Sequence, residues 1–162
     1  MRDSVNNQKG FTLIELVMVI VLLGILSIGA SGLFSSKSSY AEFIAKEQLI
    51  AQGLLAQQIA FGMSATSSPV SLSINRAAGG ETSFTLTKVG QPPLTELLDS
   101  SLNSPLVDGT ALANGSNTTF TWDSKAALSD NSSHSVTFVG GNSYRVCFSS
   151  SGYVYESLAA CP

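Results

Sequence analysis

Residues 9–30 read KGFTLIELVMVIVLLGILSIGA, and this stretch decides the fold class because it is apolar enough to cross a membrane. From Phe11 to Phe34 the only charged residue is Glu15. As a helix, this segment extends about 36 Å at about 1.5 Å per residue, which exceeds a hydrocarbon core of roughly 30 Å. Placing a carboxylate in the bilayer costs about 2.5–3.5 kcal/mol of insertion free energy, so we expect Glu15 to have an interaction partner or a functional role.

The residues around this segment predict its orientation and leave two ordinary alternatives. Arg2 and Lys9 precede it, which predicts a cytoplasmic N-terminus and an exported remainder. A secretory signal cleaved near residues 30–32 is one alternative, although Glu15 would interrupt its apolar centre. The second alternative is an uncleaved membrane anchor, in which Glu15 would only make insertion into the bilayer less favourable. No cysteine directly follows the apolar run, so a lipoprotein anchor is excluded.

One motif resembles the processing signal of type IV prepilins and pseudopilins, namely Gly10-Phe11-Thr12-Leu13-Ile14-Glu15-Leu16 between a polar leader and an apolar helix. The resemblance implies cleavage after Gly10 by a prepilin peptidase, followed by N-methylation of Phe11. Cleavage creates an ammonium group on Phe11, which the Glu15 carboxylate of the same or a neighbouring subunit would neutralise within lipid. Glu15 is therefore expected to act in assembly.

The chain is expected to have four parts. These are a leader at residues 1–10, a transmembrane and fibre-core helix at 11–34, an amphipathic outer helix at 35–63 and a β head at 64–162. The simplest account is one helix from about Phe11 to about Phe61, with its second half packed on the head. Pilins often carry a proline near the position of Gly32, so Gly-rich flexibility would have to replace a proline kink here.

The outer helix is predicted from apolar residues at helical spacing, with Glu42, Lys46, Gln48 and Gln52 on other faces. The apolar set is Tyr40, Phe43, Ile44, Ile50, Ala51, Leu54, Leu55 and Ile59. Residues 38–63, SSYAEFIAKEQLIAQGLLAQQIAFGM, also resemble the outer helix of MSHA (mannose-sensitive haemagglutinin) minor pilins of the MshC type.

Beyond Ser67 the apolar period changes from helical to two, which predicts an antiparallel sheet and an α+β fold. Two strands are expected at residues 70–74 and 84–86, with a hairpin loop between them. An antiparallel meander is expected from strands near residues 120–122, 136–139, 144–148 and 153–155. Residues 94–102, LTELLDSSL, are expected to form a short helix. The polar segments 109–117 and 129–135 are expected to be surface loops, where a pilin head would meet partners.

Cys147 and Cys161 are the only cysteines, and they lie close together near the C-terminus of a chain expected to be exported. An oxidising compartment favours a disulfide between them over two free thiols. Pseudopilins often lack a C-terminal disulfide loop, so such a bond would favour a pilus subunit.

No residue pattern indicates catalysis, a metal or a cofactor. The only histidine, His134, has no cysteine near it and no carboxylate partner on a helix, so a solvated loop is expected. Asp108, Asp123 and Asp130 lack the spacing of a calcium loop. The acidic balance, with 11 Asp and Glu against 8 Lys and Arg, argues against nucleic-acid binding.

The expected function is that of a minor structural subunit of a type IV pilus, helping to initiate or cap the fibre. Expected partners are other pilin subunits, the prepilin peptidase, the inner-membrane assembly platform and, before assembly, the membrane itself. The precursor would cross the inner membrane once with its head in the periplasm, and the assembled subunit would lie in a surface pilus. A pseudopilin of a type II secretion system and a membrane-anchored periplasmic binding module are the alternatives.

Overall fold

The computed structural model describes residues 12–31, 37–63 and 69–162. Several predictions fall outside these ranges. They are the leader at residues 1–10, the Gly10–Phe11 bond, Gly32, and the continuity of a single helix across residues 32–36. The chain divides into two units, Met1–Ser36 and Lys37–Pro162.

The described residues of the first unit form helix α1, and those of the second form helix α2 and nine strands. The helices are α1 (Leu13–Ser31) and α2 (Lys37–Phe61). The strands are β1 (Val70–Arg76), β2 (Thr82–Thr87), β3 (Leu94–Leu97), β4 (Leu106–Val107), β5 (Thr110–Ala111), β6 (Asn117–Trp122), β7 (His134–Phe138), β8 (Tyr144–Phe148) and β9 (Val154–Glu156). The predicted α+β class is therefore confirmed.

Helix α1 carries an almost continuous apolar surface, and its side chains from Leu13 to Leu26 are exposed in the isolated chain. Glu15, in its first turn, is its only acidic residue. Among the described residues, no helix combines the length and the hydropathy needed to traverse a bilayer.

The strands form two antiparallel sheets rather than the single sheet that was expected. The first has the strand order β3-β2-β1-β6, and the second has the order β5-β4-β7-β8-β9. The predicted hairpin is confirmed, with Leu72 opposite Leu86 and Ile74 opposite Phe84. The predicted meander is correct only for β7, β8 and β9, because β6 pairs with β1 in the other sheet.

The predicted helix at residues 94–102 is wrong. Its first four residues are the edge strand β3, in which Thr95 pairs with Thr85 of β2. Leu94 and Leu97 are exposed, whereas Leu102 is buried. The spacing of the leucines fits a helix, but pairing with β2 satisfies the backbone hydrogen-bonding groups of this segment instead. As a strand, the segment buries only some of its leucines in the core.

Aromatic side chains join the two sheets across a shared core. The rings of Phe120 in β6 and Phe148 in β8 are stacked with centroids 4.1 Å apart. Phe84 in β2 meets Phe138 in β7 edge to face, with centroids 6.3 Å apart. Because each pair takes one ring from each sheet, these contacts bury the inner faces of both sheets together.

The face that α2 buries matches the predicted apolar stripe only in part, because Ile50 and Ile59 pack against the core. Small side chains occupy the contact with the sheets, together with one leucine and three polar residues: Ala41, Ala45, Leu49, Ala56 and Ala60 with Glu42, Lys46 and Gln52. By contrast, Tyr40, Phe43, Ile44 and Leu55 are exposed. Small residues let the helix backbone approach the sheets closely, and this close approach overrides the simple rule that large apolar residues turn inward.

Two of the buried polar residues of α2 reach the outermost strands of the two sheets. The Lys46 ammonium group lies 2.9 Å from Glu156 of β9, and Gln52 Nε2 donates to Glu96 of β3 at 2.7 Å. β9 is an edge strand of the second sheet, and β3 is an edge strand of the first. These bonds satisfy polar groups that would otherwise be buried without partners, and they tie α2 to both sheets.

A disulfide joins Cys147 of β8 to Cys161, with Cα atoms 5.6 Å apart and a sequence separation of 14. Arg145 Nη1 also donates to the carbonyl of Ala159 at 2.8 Å. In the chain-entropy description, closing a loop of this length stabilises the fold by about 3 kcal/mol. The two contacts hold the C-terminal tail against β8.

Gly53 lies at a close contact between α2 and β9. A Cβ atom there would lie 2.7 Å from Cγ2 of Val154, a valine that is itself buried. We predict that Gly53→Ala lowers the free energy of unfolding by about 1–2 kcal/mol. Overpacking costs about 1–3 kcal/mol, and alanine regains up to about 1 kcal/mol of helix propensity.

Gly24→Ala is the matched control, since a Cβ atom there meets nothing within 4 Å. Denaturant unfolding of the full-length protein in detergent measures both variants. Equal stability of Gly53→Ala and wild type would contradict the close approach of α2 to β9.

Candidate functional site

The Glu15 carboxylate caps the N-terminus of α1. Thr12 donates to Glu15 Oε2 from its backbone nitrogen and from its hydroxyl group, each at 2.9 Å. In return, the backbone nitrogen of Glu15 donates to Thr12 Oγ1 at 3.3 Å. This reciprocal arrangement is a capping box, which satisfies donors that the first turn of a helix leaves without intrahelical partners.

The capping box gives Glu15 a local role that the sequence analysis missed. The signal was present as Thr12-x-x-Glu15 directly before an apolar run. A carboxylate in the first turn also interacts favourably with the helix dipole. The expected partner of Glu15, the ammonium group of Phe11, lies outside the described residues, so charge neutralisation between them stays a prediction.

A second polar cluster surrounds His134, and the prediction of a solvated loop for this residue is wrong. His134 is the first residue of β7, and 24% of its side chain is exposed. Its Nδ1 atom lies 2.7 Å from Asp108 Oδ2, and its Nε2 atom lies 2.6 Å from Asp130 Oδ2. The structure thus brings together three residues that the sequence analysis treated as scattered.

A tight turn presents Asp108 to this cluster. Val107 pairs with Thr110 across a two-residue loop in which Asp108 and Gly109 have φ angles of 48° and 82°. Positive φ at both positions is the signature of the turn that Asp-Gly favours in hairpins. This signal was available in residues 107–110, VDGT, which the sequence analysis did not recognise as a hairpin.

The geometry favours a protonated ring at His134, because a neutral imidazole donates from only one nitrogen and both nitrogens face carboxylates. Burial alone would lower the pKa of His134, but the hydrogen bonds to Asp108 and Asp130 outweigh it and raise the pKa. Burial raises the pKa of Asp108, but its bonds with His134 and Ser135 lower it more. The bond with His134 likewise lowers the pKa of Asp130.

This cluster is suited to holding two loops together rather than to binding a metal. Asp108 lies between β4 and β5, and Asp130 lies in the segment before β7. Among the residues that the structure describes, no group of three or more His, Cys, Asp or Glu side chains is placed to hold a metal ion. The imidazolium of His134 therefore acts as a bridge between two carboxylates from different loops.

A third candidate feature is the outward face of α2. Its exposed residues from Tyr40 to Phe61 are apolar except for Glu47 and Gln58. They recur about every three or four residues, so they form a stripe along the helix. An apolar stripe of this kind marks a surface suited to association with another protein.

Residues 5–31 match the family described as the prokaryotic N-terminal methylation motif. The matched region includes Gly10, Phe11 and Glu15 and covers less than a fifth of the chain. It indicates a type IV pilin-like prepilin, a class of structural proteins that prepilin peptidase processes. No curated protein and no solved structure matches the chain.

We predict that the His134 cluster makes the stability of the second unit depend on pH. The raised pKa of His134 gives stability that is complete below about pH 6.5 and is lost as the pH rises through the raised value. The lowered pKa values of Asp108 and Asp130 give stability that is complete above about pH 4 and is lost as the pH falls through the lowered values.

Thermal unfolding of wild type and His134→Gln across this range checks the prediction. The stability difference between them should be largest between about pH 4 and pH 6.5 and should shrink on both sides. Glu81→Gln, at an exposed carboxylate, is the control. A His134→Gln difference that is constant from about pH 4 to pH 9 would show that the ring is not held as an imidazolium.

Proposed function

We propose that this chain is a minor structural subunit of a type IV pilus that helps to initiate or cap the fibre. The observation that carries the proposal is the methylation motif at residues 5–31, which ends in a long apolar helix. The resemblance of residues 38–63 to MSHA minor pilins supports an MSHA-type system as the specific assignment. Before assembly, the proposed subunit crosses the inner membrane once, with its N-terminus in the cytoplasm and its head in the periplasm.

The exposed apolar surfaces of both helices support assembly into a fibre. Leu13, Leu26 and most large side chains between them are more than half exposed in α1, and α2 adds the outward stripe. Each Å² of apolar surface removed from water contributes about 25 cal/mol. The proposed mechanism is that helices leave the bilayer and bury the same surfaces against neighbouring subunits, so that extraction becomes favourable only within the fibre.

The C-terminal disulfide supports a pilus subunit over the alternative of a type II secretion pseudopilin. The Cys147–Cys161 bond closes a loop that pseudopilins often lack. In this proposal the partners are other pilin subunits, the prepilin peptidase and the inner-membrane assembly platform. The proposed chemistry is confined to Gly10 and Phe11, where the peptidase cleaves and methylation follows.

The first prediction of this function concerns the mature N-terminus. Because Gly10 directly precedes Phe11-Thr12, the protein recovered from its native host should begin at N-methyl-Phe11. Intact-mass and N-terminal peptide mass spectrometry measure this. Recovery with Met1 retained, or with a start at Ser31 or Leu33, would overturn the proposed function.

The second prediction separates the two roles of Glu15. Gln keeps a capping side chain but removes the charge, whereas Ala removes both. If the charge neutralises the Phe11 ammonium group, then both Glu15→Gln and Glu15→Ala should enter the membrane normally and be depleted from sheared fibres by a similar factor. If only the cap matters, Glu15→Gln should assemble like wild type.

Thr12→Ala is the matched control, because it weakens the cap and leaves the Glu15 charge in place. Immunoblots of the membrane and sheared-fibre fractions give the ratio for each variant. Wild-type recovery of Glu15→Ala in fibres would show that Glu15 has no assembly role.

A further inference from the structure

Glu42 is a carboxylate buried without a partner. Its relative exposure is 0%, and no hydrogen-bond donor among the described residues reaches either of its carboxylate oxygens. Burial of an unpaired carboxylate is strongly unfavourable in an isolated protein. Lys46 and the amide nitrogen of Gln52 are bound to acidic partners. Among the described residues, the buried side-chain atoms without a partner are the two Glu42 oxygens and the amide oxygens of Gln48 and Gln52, so Glu42 is the one carboxylate in this set.

The cover over Glu42 is thin. Gly140 follows β7 and is exposed, yet a Cβ atom on it would overlap the Glu42 side chain. Gly141 and Asn142 continue the turn, and both are exposed. Two successive glycines give this turn more backbone freedom than other residues would. Gly140 is therefore part of the cover that separates the Glu42 carboxylate from solvent.

An aromatic groove adjoins the same turn. Tyr40, Phe43, Tyr144 and Asn142 line a cavity of about 330 Å³. The Phe43 and Tyr144 rings meet edge to face with centroids 5.9 Å apart. Lys46 Nζ lies 4.5 Å from the Phe43 centroid and 5.1 Å from the Tyr144 centroid, so both rings already make a cation–π contact with one ammonium group.

The charges around the groove are predominantly negative. Lys46 is bound by Glu47 at 2.8 Å and by Glu156 at 2.9 Å. With Glu42, this set contains three carboxylates and one ammonium group. The groove therefore combines aromatic walls with an excess of negative charge, which is the environment that attracts a cationic ligand.

We propose that this groove binds the guanidinium group of an arginine presented by a partner protein, and that Glu42 becomes its carboxylate partner when the Gly140–Asn142 turn moves aside. Guanidinium fits better than ammonium because it is planar, stacks on aromatic rings and donates two parallel hydrogen bonds to a carboxylate. Formation of this pair gives hydrogen-bond donors to the two Glu42 oxygens that no described residue reaches.

We take the partner to be a different protein, because the arginines of this chain that the structure describes are already bound to other groups. Of this chain's arginines within the described residues, Arg76 is bound to Asn114 and Thr82, and Arg145 is bound to the carbonyl of Ala159. Presenting either one to a neighbouring copy would break these bonds. The proposal needs no assumption about pili, because it concerns a groove within the second unit.

A titration of the full-length protein in detergent micelles with N-acetyl-arginine amide tests the proposal. The matched ligand is N-acetyl-citrulline amide, which has nearly the same shape but no charge. Amide chemical shifts of Gly140, Gly141 and Asn142 report binding. We expect half-saturation at a concentration about tenfold lower for the arginine ligand, since a charge-assisted bidentate pair distinguishes the two.

Glu42→Gln is the decisive variant because it keeps the side-chain shape and removes the charge. It should fold with unchanged or higher thermal stability and should abolish the preference for the arginine ligand. Glu81→Gln, an exposed carboxylate elsewhere, should retain the preference. Equal binding of the two ligands to wild type, or a preference that survives Glu42→Gln, would overturn the proposal.

The outcome is independent of the proposed pilus function. A mature N-terminus other than Phe11 would refute the pilin role and leave the ligand titration unaffected. Conversely, absence of arginine binding would refute the Glu42 site and leave processing and fibre incorporation unaffected. Self-association of the chain that depends on Glu42 would also overturn the choice of partner.

Discussion

The close contact between Gly53 of α2 and Val154 of β9 is the constraint on which the second unit depends. With no side chain at Gly53, and with alanines at four of the eight other buried positions, the helix lies close to both sheets. At this short distance the contact favours small side chains, and Leu49 is the one large apolar side chain of α2 that is fully buried. The buried face of α2 consists of small residues, Leu49 and three polar residues, of which Lys46 and Gln52 reach partners on β9 and β3.

This packing also determines what the helix presents to the outside. Leu49 is fully buried and Ile50 and Ile59 pack partly against the core, whereas Tyr40, Ile44 and Leu55 lie on the exposed side. A monomer exposing this stripe together with the apolar surface of α1 is better suited to association than to isolation. The same constraint that organises the head therefore supports the proposed role as a fibre subunit, in which both surfaces would be covered by neighbours.

Three acidic sites show how differently the fold treats a carboxylate. Glu15 is satisfied within four residues by Thr12, at the start of α1. Asp108 and Asp130 are satisfied over longer distances by His134, which holds their two loops. Glu42 is buried with no donor reaching it from the described residues. The three sites therefore differ in where the partner lies. Glu15 is bound within one helical turn, Asp108 and Asp130 are bound by a residue from another part of the fold, and the proposed partner of Glu42 is an arginine of another protein.

Features that depend on residues close together in the sequence could be predicted without the structure. The motif around Gly10, Phe11 and Glu15, the α+β class and the β1–β2 hairpin follow from patterns within short windows, because helix caps and alternating strands are local. Three other features could be seen only in the folded protein. They are the identity of the buried face of α2, the strand at residues 94–97, and the cluster of Asp108, Asp130 and His134. The physical reason is that these outcomes depend on the distance in space between elements that are far apart in the chain. The periodicity of apolar residues and the spacing of motifs in the sequence do not reveal that distance.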